Sequence, residues 1–411
     1  MGSEHGLLIT LGALLIVSPL VKSLMARLGV PALVGYIGIG FGVALLDEAV
    51  RFTTPTFETT FSVLAQLGVV ALLFRVGLKS HTEALLQKLP DASVLWVGDV
   101  VTNLAFGFVV SRYVLGWSLE TALVVATAFS ATSVAVSVST WDELGRMDTP
   151  HGRLLLDVAE LDDLSGVVLL AVLLAVLPVL EGAGPSLLLL LGTELGAIVL
   201  KLALFITGCY LFSHWLERRF THFNRRWAGP APGLAITVLG TGLAIAGVAA
   251  YLGFSLAIGA LFAGLAFSRD PEAVRSDARF AGVYELLTPF FFIYIGMQVD
   301  PEVIVPSLGL AGVLFVPAVL GKFLGVGIPA WWVVGRRDAA TFGLSMVPRA
   351  EIAMVVVYQC RVLGEGVVSD RVFGAMVVMA LLTSTFAPLL LRAVLRRTEA
   401  PGGPGDPRRA G

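Results

Sequence analysis

From Gly6 to Val21 the chain carries no charged residue, and apolar runs of that kind recur along most of its length. A run of about 17–25 such residues spans the ~30 Å hydrocarbon core of a bilayer as a helix. The composition agrees, since 56% of the 411 residues are hydrophobic and 14% are charged. Soluble domains sit near 45–50% and about 25%. The chain therefore reads as an all-α polytopic membrane protein.

Thirteen membrane helices are expected, at about 5–27, 30–47, 60–79, 91–115, 119–142, 152–180, 186–215, 233–252, 255–268, 281–299, 303–334, 339–361 and 370–395. The N-terminus has Glu4 and His5 where a cleaved signal would be basic, and no A-x-A site follows Lys22 and Arg27. It is kept as the first membrane helix. The tail 398–411, with Pro401, Gly402, Gly403, Pro404, Gly405 and Pro407, is too rich in breakers to fold and is expected to be disordered. Cys209 and Cys360 lie in apolar runs without metal-ligand or CxxC spacing and read as buried thiols.

Basic residues set the orientation. Alternate connections and helix ends carry 21 Lys and Arg on one side, from Lys22 and Arg27 through Arg146, Arg219 and Arg336 to Arg409, against 4 on the other: Arg51, Arg112, Arg361 and Arg371. The positive-inside rule makes the first side cytoplasmic, with the N-terminus outside and the C-terminus inside. A net charge of -2 suggests no nucleic-acid partner.

The sixth helix departs from the apolar pattern. Asp162 and Asp163 sit in Glu-Leu-Asp-Asp-Leu-Ser-Gly-Val-Val-Leu-Leu, and Asp162 lies eleven residues beyond His151. At 1.5 Å per residue that is about 16 Å into the membrane, near its centre. An Asp there costs about 2.5–3.5 kcal/mol on insertion scales, so it marks a functional site by default. Glu160 is three residues before Asp163 and shares its face, with Asp157 earlier still. The four acids would form a negative funnel drawing cations from the cytoplasm. Asp157 could equally cap the helix or pair with Arg153.

Buried acids need partners. Lys322, mid-span in the eleventh helix, requires a counter-ion, and an aspartate of the doublet is the economical one. Lys201 reads as the partner of Glu194 seven residues earlier. Ser130-Ala131-Thr132-Ser133 in the fifth helix marks either a helix break or a tight packing face. In the twelfth, Met346-Val347-Pro348-Arg349-Ala350-Glu351 breaks the ladder at Pro348, and Arg349 and Glu351 read as neutralising the exposed half-helix ends. Arg75, near the cytoplasmic end of the third helix, can snorkel, and Asp99 and Asn103, on one face of the fourth helix, can pair with a neighbour and are assigned no chemistry. Breaks seven helices apart, on either side of a linker helix, match two inverted six-helix repeats with discontinuous crossing helices.

With these residues in place the chain resembles the monovalent cation:proton antiporter-2 family, especially the short bacterial sodium/proton antiporters. The resemblance runs through Val30-Pro31-Ala32-Leu33-Val34-Gly35-Tyr36, Leu67-Gly68-Val69-Val70-Ala71-Leu72-Leu73-Phe74, Ala131-Thr132-Ser133-Val134 and Leu161-Asp162-Asp163. It continues through Gly253-Phe254-Ser255, Thr288-Pro289-Phe290-Phe291, Gly321-Lys322 and Val347-Pro348-Arg349-Ala350-Glu351. It implies Asp163 as the main cation and proton carboxylate, Asp162 paired with Lys322, Thr132 at the crossing, and Ser133, Arg349 and Glu351 as its stabilisers. It also implies a core domain (about 91–180 and 303–395), a dimerisation domain (about 5–79 and 186–299) and a homodimer. Arg75 with Lys79, Glu160 and Ala350 depart from the family pattern.

The function this implies is exchange of cytoplasmic Na+ or Li+ for external H+ at the inner (plasma) membrane, electrogenic if Lys322 or Asp162 releases a second proton. No cofactor is expected, and no enzymatic grouping stands out, since the five histidines fall at helix ends or in loops. Potassium/proton exchange is the nearest alternative; a sodium-coupled organic anion symporter is more distant.

Overall fold

In hydrocarbon a peptide group has no water to bond, so each apolar run closes its own helical ladder. The computed structural model describes residues 3–51, 53–79, 89–133, 149–182, 233–252, 254–268 and 277–398, with short pieces of 137–147 and 200–223. Among them every regular element is helical. First come α1 (Ser3–Leu28), α2 (Ala32–Val50) and α3 (Pro55–Lys79). Then α4 (Leu89–Val109) runs on into a π turn at Val110–Val114, followed by α5 (Leu119–Ser130) and α6 (Pro150–Gly182). The middle of the chain holds α7 (Ala203–Leu216), α8 (Gly233–Tyr251), α9 (Leu256–Phe267) and α10 (Asp277–Met297). Last are α11 (Pro301–Val333), α12 (Arg336–Ser345), α13 (Glu351–Arg361) and α14 (Asp370–Thr398).

Several helices start on side-chain caps that the sequence supplies. Ser118 accepts from Thr121 N to open α5, Ser255 from Ile258 N to open α9, and Asp300 from Glu302 N to open α11. The α1–α2 turn needs a left-handed residue, which Gly29 provides at φ 68°.

Two expected helices are interrupted. The fifth run, read as 119–142, leaves the helix after Ser130; residues 131–133 are non-helical and helical backbone reappears at 137–138 and 140–141. The twelfth run, read as 339–361, is two helices, with 346–350 between α12 and α13. The tail from 399, Gly253, Val134, Glu194 and the first part of the seventh helix lie outside the described residues, and Lys201 is exposed.

The helices pack in two groups. One contains α4, α5, α6 and α11 to α14; the other contains α1 to α3 and α7 to α10, and α6 meets α9 and α2 meets α11 across the boundary. Glycines set the closest seams. A Cβ on Gly98 of α4 would lie 2.5 Å from the carbonyl of Gly325 on α11, so only backbone fits there. Gly77 with Gly264 and Gly40 with Gly296 do the same for α3–α9 and α2–α10. The surface is apolar, with Leu8, Ile9, Ile16, Tyr251 and Trp332 all exposed, while Asp99, Asn103, Asp162, Lys322 and Arg349 are fully buried. That inversion of the soluble pattern suits a lipid solvent.

Candidate functional site

An interrupted helix exposes carbonyls at the end of its first half and N–H groups at the start of its second. The two interruptions meet. Ser133 N donates to Pro348 O at 2.7 Å, and Ser133 Oγ donates to Glu351 Oε2 at 2.7 Å. Glu351 lies in the first turn of α13, where a carboxylate suits the positive end of the helix dipole. Arg349 answers the opposite ends: its Nε donates to Phe129 O (3.1 Å) at the close of α5, and its Nη1 to Val347 O (3.2 Å) beyond α12. The guanidinium also stands over the Phe129 ring, 5.0 Å from its centroid, and Ser384 Oγ bonds the Arg349 carbonyl at 2.6 Å.

Lys322 completes the neutralisation. Its Nζ donates to Ser130 O at 2.5 Å, another end carbonyl of α5. Its nearer carboxylate is Asp99, at 2.7 Å, with Asp162 at 3.4 Å. The expected pairing of Lys322 with Asp162 is present, with Asp99 as the nearer partner, and Asp99 and Asn103, to which the sequence assigns no chemistry, join the same network. Asn103 Nδ2 donates to Asp99 Oδ1 at 2.7 Å, and Asn103 Oδ1 accepts from Arg349 Nη2 at 2.8 Å. The cause is the α4–α11 seam: Gly98, Gly321 and Gly325 let the two backbones close until α4's polar face touches Lys322. The signal was present, because the argument that marks a mid-span Asp162 applies equally to Asp99.

What is left over is acceptor oxygen. Asp162 is fully buried and its Oδ1 has no hydrogen-bond partner among the described residues; Thr132, 3% exposed, has an Oγ1 in the same condition. Asp163 is half-buried and accepts no hydrogen bond among the described residues. The charges acting on it are Asp162, Glu351, Lys322 and Glu160. Unpartnered buried oxygens are costly in a protein interior unless a water or an ion completes them.

A cleft of about 330 Å³ separates the two helix groups beside the crossing, lined among others by Lys22, Tyr36, Thr140, Thr288, Glu351 and Arg392. Asp157 and Glu160, half-buried on α6, are not among its lining residues. Arg75 is half-buried and its guanidinium stacks on Tyr284, 4.3 Å from the ring centroid.

Two interrupted helices that meet beside Asp162 and Asp163 are the arrangement of ion-coupled transporters with discontinuous helices. The chain belongs to the transmembrane sodium/hydrogen exchanger family, whose family model matches residues 12–397. It is 24% identical over 372 residues to the high-affinity Na(+)/H(+) antiporter NhaS3 of Synechocystis, covering 88% of this chain and 77% of that one. It is 27% identical over 390 residues to the Na(+)/H(+)-K(+) antiporter GerN of Bacillus cereus, covering 92% and 94%. The fold is that of the sodium proton antiporter MjNhaP1 of Methanocaldococcus jannaschii, with TM-score 0.62 over 95% of this chain and 96% of that one, at 16% identity.

Proposed function

We propose that this protein is a secondary active sodium/proton antiporter in which one cation and protons compete for Asp162 and Asp163. The observation that carries the reading is that, among the described residues, Asp162 Oδ1 and Thr132 Oγ1 are buried without a partner, beside Asp163 and next to a lysine whose nearer carboxylate is Asp99. A sodium ion entering that set exchanges its water ligands for carboxylate and hydroxyl oxygens; a proton on the same carboxylates removes the charge that holds it. Asp157 and Glu160 would draw cations toward the doublet. The helix group containing α4 to α6 and α11 to α14 would move as the core against the other group, which would form the homodimer contact.

The N-terminus would lie outside and the C-terminus in the cytoplasm, in the plasma membrane. In that orientation the cleft beside Glu351 opens at the end carrying Lys22 and Arg392, so this conformation would be inward-facing. Two protons per sodium, and hence electrogenic exchange, is the stoichiometry the antiporter-2 resemblance implies.

The test is purified protein in liposomes with an internal pH dye, pulsed with sodium, lithium, potassium and choline. Sodium-dependent proton movement is expected in the wild type and none in Asp163→Asn; near-normal exchange in that variant would refute the role of Asp163. Potassium/proton exchange is the second reading, favoured by the likeness to a relative named for both ions. A potassium pulse larger than the sodium pulse would select it.

A further inference from the structure

We infer that Asp99 is a positioning residue: it holds the Lys322 ammonium away from Asp162, and so keeps an Asp162 oxygen open to the transported cation. The inference rests on the exchanger reading above and adds the residue that sets the strength of cation binding.

The geometry divides the labour between two fully buried carboxylates facing one lysine. Lys322 Nζ has three N–H groups. It lies 2.7 Å from Asp99 Oδ2, 2.5 Å from Ser130 O and 3.4 Å from Asp162 Oδ2. Charge-assisted N–H···O bonds have their optimum at about 2.7–2.9 Å, so Asp99 holds the full bond and Asp162 a stretched one. Both Asp99 oxygens already have a donor, since Asn103 Nδ2 bonds its Oδ1 at 2.7 Å. Asn103 is itself fixed by Arg349, at 2.8 Å. Asp162 is the reverse case, with Oδ1 buried and unpartnered among the described residues.

A carboxylate closely paired with an ammonium offers a monovalent cation little net charge. One that shares the ammonium with a better-placed neighbour retains most of its own. The Asp99–Asn103–Arg349 chain is anchored to the α5 carbonyls that the crossing exposes, so the lysine is held to the α4 side by the same contacts that hold the crossing together. Without the Asp99 charge, Lys322 has one carboxylate left within reach, and it becomes a tethered competitor for the cation.

The experiment reads the apparent KM for sodium in proteoliposomes for wild type, Asp99→Asn, Lys322→Gln and the double variant. Asp99→Asn preserves the side-chain shape and can still accept from Asn103. It is expected to raise the sodium KM about tenfold, the size of one lost charge interaction in a buried site. Adding Lys322→Gln to it removes the competitor and should bring KM back to within about threefold of wild type, since coupled residues in one network are non-additive. An unchanged KM in Asp99→Asn, or a double variant no better than the single, would overturn the inference. If Asp99→Asn fails to fold, Lys322→Gln alone decides. A sodium KM lowered by less than about threefold supports Asp99 as the lysine's partner, and a larger drop shows that Asp162 was the neutralised group. A wild type that moves no protons on addition of sodium or potassium would overturn the exchanger reading and this inference with it.

Discussion

Ser133 and Glu351 are 218 positions apart in the chain, and the Ser133 hydroxyl donates to Glu351 Oε2 at 2.7 Å. One belongs to the interruption after α5, the other opens α13. This bond and the neighbouring Ser133 N–H to Pro348 O bond tie the two interruptions together where ordinary helical bonding has stopped. Ser133→Ala removes the side-chain bond and leaves the backbone one. A loss of about 1–2 kcal/mol is expected, because a part-buried carboxylate oxygen loses its donor. It should appear as a lower melting temperature of the detergent-purified protein; an unchanged melting curve would count against the crossing as a stability element.

Arg349 should be the least replaceable of the buried charges. It answers Phe129 O, Val347 O and the Asn103 side chain at once. Arg349→Met leaves those acceptors in an apolar interior, a cost of at least about 3 kcal/mol. Arg349→Lys keeps the charge but cannot fork to several acceptors, and is expected to fail as well. Recovery of monodisperse protein in size-exclusion chromatography is the measurement, with little or none expected for either variant.

Thr132 should behave in the opposite way. Its Oγ1 is buried with no hydrogen-bond partner among the described residues, so Thr132→Val is expected to leave thermal stability unchanged or raised. If that oxygen is a cation ligand, the apparent sodium KM should rise by about threefold to tenfold. Stable protein with a weaker sodium response is the expected pair of results. A large fall in stability would show that the hydroxyl has a structural task.

The α4–α11 seam offers a packing test. Gly98→Val places a side chain 2.5 Å from the Gly325 carbonyl at the Cβ alone, and the helices have to separate. A cost of about 1–3 kcal/mol is expected, together with loss of exchange as Asp99 and Lys322 move apart. Gly38→Ala is the control, because a Cβ there meets nothing within 4 Å. It should leave both stability and transport near wild type.

Much of this architecture is written locally. The lengths of the apolar runs, the proline at 348 and the serine caps determine where helices begin, end and break, since these are properties of a few adjacent residues in a solvent that forbids unsatisfied backbone. The membrane depth of Asp162 and Asp163 follows from counting residues from His151 for the same reason. The pairing of charges is different. Whether Lys322 meets Asp162 or Asp99 depends on how closely α4 and α11 approach, and that is decided by glycines on two helices more than two hundred residues apart. A hydropathy pattern records which faces avoid lipid; it contains no term for which buried acid stands nearest a buried lysine. Only the packed bundle supplies that distance, and with it the oxygen left open on Asp162.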